Sequence, residues 1–327
     1  MFNLIYNEML KMIRKKRFWT VLLILVVLIP IFTYGQYRNA ETAIKQIGTS
    51  DWRAVLQQQI IDSQNRLTSS RIPEEWKQFT KVNIQLQQYY LDHNINPQEP
   101  GAPTFTREFV EQAVSLFLPL LVVILSADLV SSEQSSGTIK LLLTRPVPRW
   151  KILSSKYISL LFSISLMLLM TAILSYLISG VIFGYKGWTL PVLTGFSQEG
   201  EQLITNNIHM IPQWKFVLMQ YGLAWFSCIV VGTLSFMVSV LVRNTASSMG
   251  VMLAAIIAGT LLTQLAPTWP QLKYVAFLHL DLTNFLSGEP TMIEGITLLF
   301  SLGVLATWSI VALIISFVTF ERRDVLG

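Results

Sequence analysis

The sequence predicts an all-α integral membrane protein: six transmembrane helices, an N-terminal interfacial helix, a helical element in one cytosolic loop and a small extracytoplasmic helical hairpin after the first span. Three observations carry this. Six stretches are apolar over close to the ~20 residues that cross a hydrocarbon core roughly 30 Å thick. The chain is 52% hydrophobic and only 13% charged, with a mean hydropathy of +0.50, whereas soluble domains carry about 25% charged residues. Finally, lysine and arginine gather beside particular apolar runs.

Taken in order, residues 1–17 place Phe2, Ile5, Met9, Met12 and Ile13 at helical spacing with basic residues toward their end. That pattern fits an amphipathic helix lying on a leaflet. The first span, Phe18–Tyr34, is longer than the ~7–15 apolar residues of a signal peptide, and no small-x-small site follows it, so it reads as uncleaved. The loop Gly35–Glu108 is balanced in charge and rich in glutamine. Ala40–Leu67, with the stripe Val55, Ile60, Ile61 and Leu67, and Pro73–Leu91 both read as helices. Pro73 stands where a first-turn proline belongs, and Asn94–Pro103, with Pro97, Pro100 and Gly101, breaks the pattern. This hairpin is too small to bury much core alone, so it leans on the membrane domain or on a partner.

The second span is read as Phe109–Val130, followed by a loop over 131–156 and a third span, Tyr157–Phe183. After a loop over 184–215 come Phe216–Val242 and Ala246–Leu265, joined only by Arg243-Asn-Thr245 as a tight hairpin. Residues 266–295 carry Trp269, Tyr274, Phe277, Leu278, Leu282 and Phe285 between Pro267, Pro270 and Pro290. They suit short interfacial or re-entrant helices, because a plain lipid-facing loop would leave backbone groups unsatisfied. Ile296–Phe320 is the sixth span and 321–327 a tail.

Orientation follows the basic residues of short loops. Lys11, Arg14, Lys15, Lys16 and Arg17 precede the first span; Lys140, Arg145, Arg149, Lys151 and Lys156 follow the second; Arg243 and the tail residues Arg322 and Arg323 share that side. The short loops opposite hold Lys186, Lys215 and Lys273. Both termini are therefore expected in the cytoplasm, with the chain in the cell membrane. The net charge of +5 is explained by these flanks and not by a nucleic-acid surface.

Several chemistries lack their motifs. There is no G-x-x-x-x-G-K-[ST] loop, H-E-x-x-H or G-x-S-x-G in this sequence, so the chain is not expected to be catalytic or to hydrolyse ATP itself. His93, His209 and His279 are far apart, which predicts no metal site. Cys228 reads as a packing residue. Glu111 and Asp128 fall near the two ends of the second span, where water or headgroups are expected to reach them. With no ionisable group at mid-membrane, a proton-coupled carrier or selective channel is disfavoured.

The most informative stretch is Asp128–Lys156. Gly137 permits a tight turn, Leu141, Leu142 and Leu143 offer an apolar face, Pro146 and Pro148 stiffen the exit, and Arg145 and Arg149 suit carboxylates or lipid phosphates. Those arginines equally suit orientation and headgroup contact. The ordered set Glu133-x-x-x-Gly137-Thr138-Ile139, Leu141-Leu142, Arg145-Pro146-Val147-x-Arg149, Ile152-Leu153 and Lys156 resembles the cytosolic loop of ABC-2 type permeases. These are the six-span membrane subunits of bacterial ATP-binding cassette exporters.

The resemblance implies that the loop carries a coupling helix docked on a separate ATPase subunit, through Glu133, Gly137, Thr138, Leu141, Leu142, Arg145, Pro146 and Arg149. ATP and Mg would sit in that partner, with no cofactor in this chain. A second permease copy or a related permease would complete the pathway. Ser115, Ser126, Thr260 and Thr263 are candidate pathway-lining residues, although such hydroxyls also serve ordinary helix packing. Few charges suit an amphipathic or lipid-like cargo such as a peptide antibiotic or drug. The large loop after the first span, which many members lack, leaves open a second reading: a non-transporting membrane sensor or assembly module associated with an ATPase.

Overall fold

A computed structural model describes residues 1–68, 73–138, 147–199, 201–265, 269–288 and 296–322. Among them the chain forms α1 (Phe2–Arg14), α2 (Arg17–Ile47), α3 (Trp52–Leu67), α4 (Glu74–Asp92), α5 (Ala102–Ala113), α6 (Phe117–Ser126), α7 (Ser131–Ser135) and α8 (Arg149–Phe183). Four short strands follow: β1 (Pro191–Thr194), β2 (Ser197–Glu199), β3 (Gln202–Ile204) and β4 (His209–Pro212). Then come α9 (Gln213–Leu241), α10 (Thr245–Leu265), two 3-10 turns at Pro270–Tyr274 and Ala276–His279, α11 (Asn284–Ser287) and α12 (Leu298–Arg322).

Six stretches are long and apolar enough to cross a membrane: α2, Phe117–Ser135, α8, α9, Thr245–Leu262 and α12. Of the apolar windows, 72% of Phe117–Ser135 and 67% of α9 are buried within the protein, against 17 to 33% for the other four. The second and fourth spans are therefore the interior of the bundle. α9 touches α5, α6, α8, α10 and α12. Its small residues Ala224, Cys228, Ser235 and Ser239 are all buried, which lets neighbouring backbones approach closely. The turn between α9 and α10 is as tight as the sequence required, and Asn244 Oδ1 caps α10 by accepting from the N–H groups of Ala246 (2.8 Å) and Ser247 (3.3 Å).

Helix ends differ from the hydropathy boundaries. α2 runs beyond Tyr34 to Ile47 because nothing stops it before the Gly48–Asp51 segment, where the Asp51 carboxylate caps α3 at Arg53 N. The second span is not one helix. Pro119 has no N–H to give the carbonyl of Ser115 and its ring crowds that carbonyl, so the chain breaks at Val114–Leu116 between α5 and α6. It breaks again at Ala127–Val130 before α7. α8 begins at Arg149, just after Pro148, eight residues ahead of the expected third span. Hydropathy excluded Arg149, Lys151 and Lys156 from the helix, but helix geometry does not.

The all-α expectation needs a correction in 184–215. β1 pairs with β4 and β2 with β3, both antiparallel, so the chain doubles back in two short ladders separated where Gly195 and Phe196 face 205–208. Val192, Leu193 and Phe196 turn inward from this segment, and Leu193 and Phe196 join Leu86 and Ile95, flanked by Tyr89 and Tyr90, in a second small core. The α3–α4 hairpin thus leans on this strand pair. The short helices expected before the sixth span are present, with Leu272, Ala276, Leu280, Leu282 and Leu286 buried.

Gly195 has φ +93°, and a Cβ there would lie 2.1 Å from the carbonyl oxygen of Asn207. Gly195→Ala is expected to cost about 1–3 kcal/mol, read as a lower Tm in detergent and earlier proteolysis within 184–215. Gly222→Ala, where a Cβ meets nothing within 4 Å, is the control and should be close to silent.

Candidate functional site

The expected docking loop has its stem in described residues, while Ile139, Leu141, Leu142, Leu143, Arg145 and Pro146 lie outside them. On the incoming side, α7 exists because the buried break at Ala127–Val130 is capped from another span. Ser239 Oγ on α9 accepts from both Val130 N and Ser131 N at 3.1 Å, supplying the N-terminal cap that the local sequence lacks. α7 then ends at Gly137 (φ +71°), a left-handed turn that glycine adopts without penalty. Thr138 Oγ1 meets Ser136 Oγ at 2.9 Å and returns to the Glu133 carbonyl at 3.5 Å.

On the outgoing side, Lys156 is 1% exposed in the third turn of α8. Its ammonium donates to Glu8 Oε2 (2.8 Å) and to the Leu129 carbonyl (3.3 Å), and pairs with Glu133 Oε1 at 2.8 Å. An ammonium has three N–H groups, and each has an acceptor here. Lys11 on α1 joins Glu8 (2.7 Å) and Glu133 (3.1 Å) from the other side. Next to this cluster, Asp128 is wholly buried, paired with Arg17 and 3.8 Å from Lys15, whose Nζ also donates to Ser132 Oγ at 2.9 Å. Four elements, α1, α2, α7 and α8, therefore meet through charge.

α1 can come so close because α8 presents serines to it. Ser159 Oγ donates to the Ile5 carbonyl (3.3 Å) and Ser163 Oγ to Met12 Sδ (3.2 Å). The helix turns Glu8 and Met12 inward and leaves Phe2, Tyr6 and Ile13 exposed on its outer side. Burial works against the charge of Glu8, yet the Lys156 and Lys11 ammonium groups hold its carboxyl below the usual value. Burial likewise opposes the charge of Lys11, but its bond to Glu8 and the field of Glu133 hold it above. Lys15 is pushed down by burial and by adjacent Arg17.

The sequence-predicted residues are placed unevenly. Glu133, expected on the docking surface, is buried in the ion cluster, because an unpaired Lys156 beside it would be far costlier than the loss of an exposed carboxylate. Arg149 donates to the Glu321 carbonyl at 2.9 Å, where a cation suits the C-terminal end of α12. Asp128, expected to reach water, is enclosed. Of the candidate pathway hydroxyls, Ser126 is fully buried and returns its proton to the Val122 carbonyl at 2.7 Å; Ser115 and Thr260 also bond their own helix backbones. The side chain of Thr263 lies outside the described residues. Lys156 and Glu8 carried no local signal as a pair, since 148 residues separate them.

Removing Lys156 leaves two buried carboxylates, Glu8 and Glu133, sharing the single ammonium of Lys11. Lys156→Met is expected to cost about 3–5 kcal/mol, read as a lowered Tm, and adding Glu133→Leu should return part of that loss. The pH sign follows from Glu8, whose folded carboxyl binds protons less readily than the unfolded one. Its contribution is present above the ordinary carboxylate value and is lost as pH falls through the folded one. A Tm–pH series should show this acid loss flattened in Glu8→Gln.

The protein-family model of DUF2705, described as a protein of unknown function, matches residues 76–326. The chain is 32% identical over 332 residues to the uncharacterized protein YhcI of Bacillus subtilis (strain 168), covering 99% of both chains. It is 28% identical over 215 residues to the uncharacterized membrane protein YdbK of the same organism, covering 65% of this chain and 80% of that one. A multi-pass membrane protein by its six apolar helices, the chain belongs to the DUF2705 family.

Proposed function

We propose that this chain is the membrane subunit of an ATP-binding cassette exporter of the ABC-2 type, moving an amphipathic or lipid-like cargo with ATP hydrolysed by a separate subunit. The observation that carries the reading is the ordered motif from Glu133 to Lys156, set on a stem whose two sides pair with each other at 2.8 Å. A docking loop must pass a push to the spans without absorbing it. Here the stem is bonded at Lys156 to α8, at Glu8 and Lys11 to α1, and through Arg149 to the end of α12.

In this reading both termini, α1 and the loop 139–146 face the cytoplasm, as the lysine and arginine bias favours. Phe2, Tyr6 and Ile13 of α1 enter the inner leaflet, while α3, α4 and the strand hairpin stand outside. Closure of the ATPase subunits moves the loop, and the ion cluster carries the displacement into α1 and α8. A second copy or a related permease supplies the other half of the pathway, for which the lightly buried faces of α2, α10 and α12 are the available surfaces.

Purification of the full-length chain from its native cells, with the co-purifying proteins searched for a cassette ATPase, tests this. A stable complex is expected, lost when 137–149 is scrambled, together with cargo flux in vesicles that stops in the same variant. Absence of a complex, with the scrambled loop harmless, overturns it. A complex that signals without any flux would instead favour the sensor reading.

A further inference from the structure

Away from the ion cluster, the membrane domain holds a carboxyl with a different kind of neighbour. Glu111 on α5 faces Gln220 on α9, and Gln220 is fully buried. Gln220 Nε2 approaches Glu111 Oε2 at 3.4 Å. The other oxygen of each group, Glu111 Oε1 and Gln220 Oε1, is shut off from solvent and has no hydrogen-bond partner. Two buried acceptors left over from one carboxyl–amide contact lack one thing, a donor.

The surroundings offer no cation to take that place. On its own helix, Arg107 donates to the Pro97 carbonyl and pairs with Glu108 at 3.6 Å, and Glu108 also accepts from Gln36 of α2 at 2.6 Å. From α9 the facing groups are Gln220 and Tyr221, since Lys215 in its first turn is exposed. From α8 the neighbour is Ser175, which donates to Thr106 Oγ1 at 3.3 Å. Ser287 at the end of α11, whose hydroxyl donates to the Asn284 carbonyl at 3.3 Å, and Tyr90 of α4 complete the set.

We propose that Glu111 is a proton-binding site: its carboxyl is held protonated against Gln220, with Oε1–H donating to Gln220 Oε1 while Gln220 Nε2–H donates to Glu111 Oε2. One proton taken from water satisfies both orphaned oxygens and closes a neutral acid–amide pair, which removes the cost of a buried unpaired charge. Deprotonation leaves a carboxylate facing an amide oxygen, an arrangement that drives α5 and α9 apart or admits water between them. The site is thus a place where proton release is coupled to the contact between the broken second span and the central helix. It rests on this chain alone and not on the exporter reading.

The test uses the full-length protein in detergent micelles and dicyclohexylcarbodiimide, which modifies protonated carboxyls in apolar surroundings. Peptide mapping is expected to find Glu111 labelled near neutral pH, with labelling lost as pH rises through its folded value. Glu8 and Glu133, buried but paired with lysines, should stay unlabelled and serve as internal controls. In parallel, Tm is followed against pH for the wild type and Glu111→Gln, which keeps an amide pair without needing a proton. A group whose proton is needed for its folded contact contributes stability at low pH and loses it as pH rises, so the variant should gain on the wild type with increasing pH. A Glu111 that stays unlabelled at every pH, or parallel Tm–pH curves, overturns the proposal. Should Glu111→Gln fail to fold, the pH profile of labelling in the native protein decides alone.

Discussion

The burial of one ammonium group, that of Lys156, constrains much of the rest of this fold. A charge removed from water is tolerated only when its donors are all met and opposite charge lies beside it. Meeting that demand needs three acceptors from three places: Glu8 of α1, Glu133 of α7 and the Leu129 carbonyl at the break in the second span. α1 must therefore lie along α8, the second span must interrupt its helix where the Leu129 carbonyl is freed, and α7 must restart at the right distance.

 The serines of α8 at 159 and 163 serve the same end, because only small side chains let α1 come close enough to cover the lysine.

The broken second span follows from similar constraints. Pro119 separates α5 from α6, and Ser239 of α9 caps the restart at α7. As a result the span that contributes most to the interior is also the one with the most irregular backbone. Backbone groups released at such breaks are tolerated at membrane depth only where protein surrounds them, and the break at Ala127–Val130 meets that condition, lying within Phe117–Ser135, which is 72% buried. Its two ends treat carboxyls differently. Asp128 and Glu133 are matched by lysine and arginine, whereas Glu111 is matched by an amide.

Beyond the spans, a small helical hairpin obtains its core by borrowing. α3 and α4 bury little between themselves, and Phe196 and Leu193 of the strand hairpin supply the missing apolar surface against Leu86, Tyr89 and Tyr90. Lys81 pairs with Glu201 at 2.8 Å at the edge of the same contact, an exposed pair that adds little to stability. Segments more than a hundred residues apart thereby form one layer over one end of the bundle.

The sequence by itself determined the number of apolar spans, the tight turn between the fourth and fifth, helix within 40–67 (though not its interruption at 48–51) and within 73–91, the short helices before the last span and a tight turn at Gly137. These are local matters of hydropathy, turn chemistry and helix-breaking residues, each readable within a window of about twenty positions. The tertiary structure alone decided where the charges went. Hydropathy treats Glu133, Asp128 and Lys156 as polar flanks that stay near water, and it ends spans at them. Only the meeting of α1 with α8, across 148 residues of sequence, supplies the opposite charges that let those residues be buried and the helices run on through them.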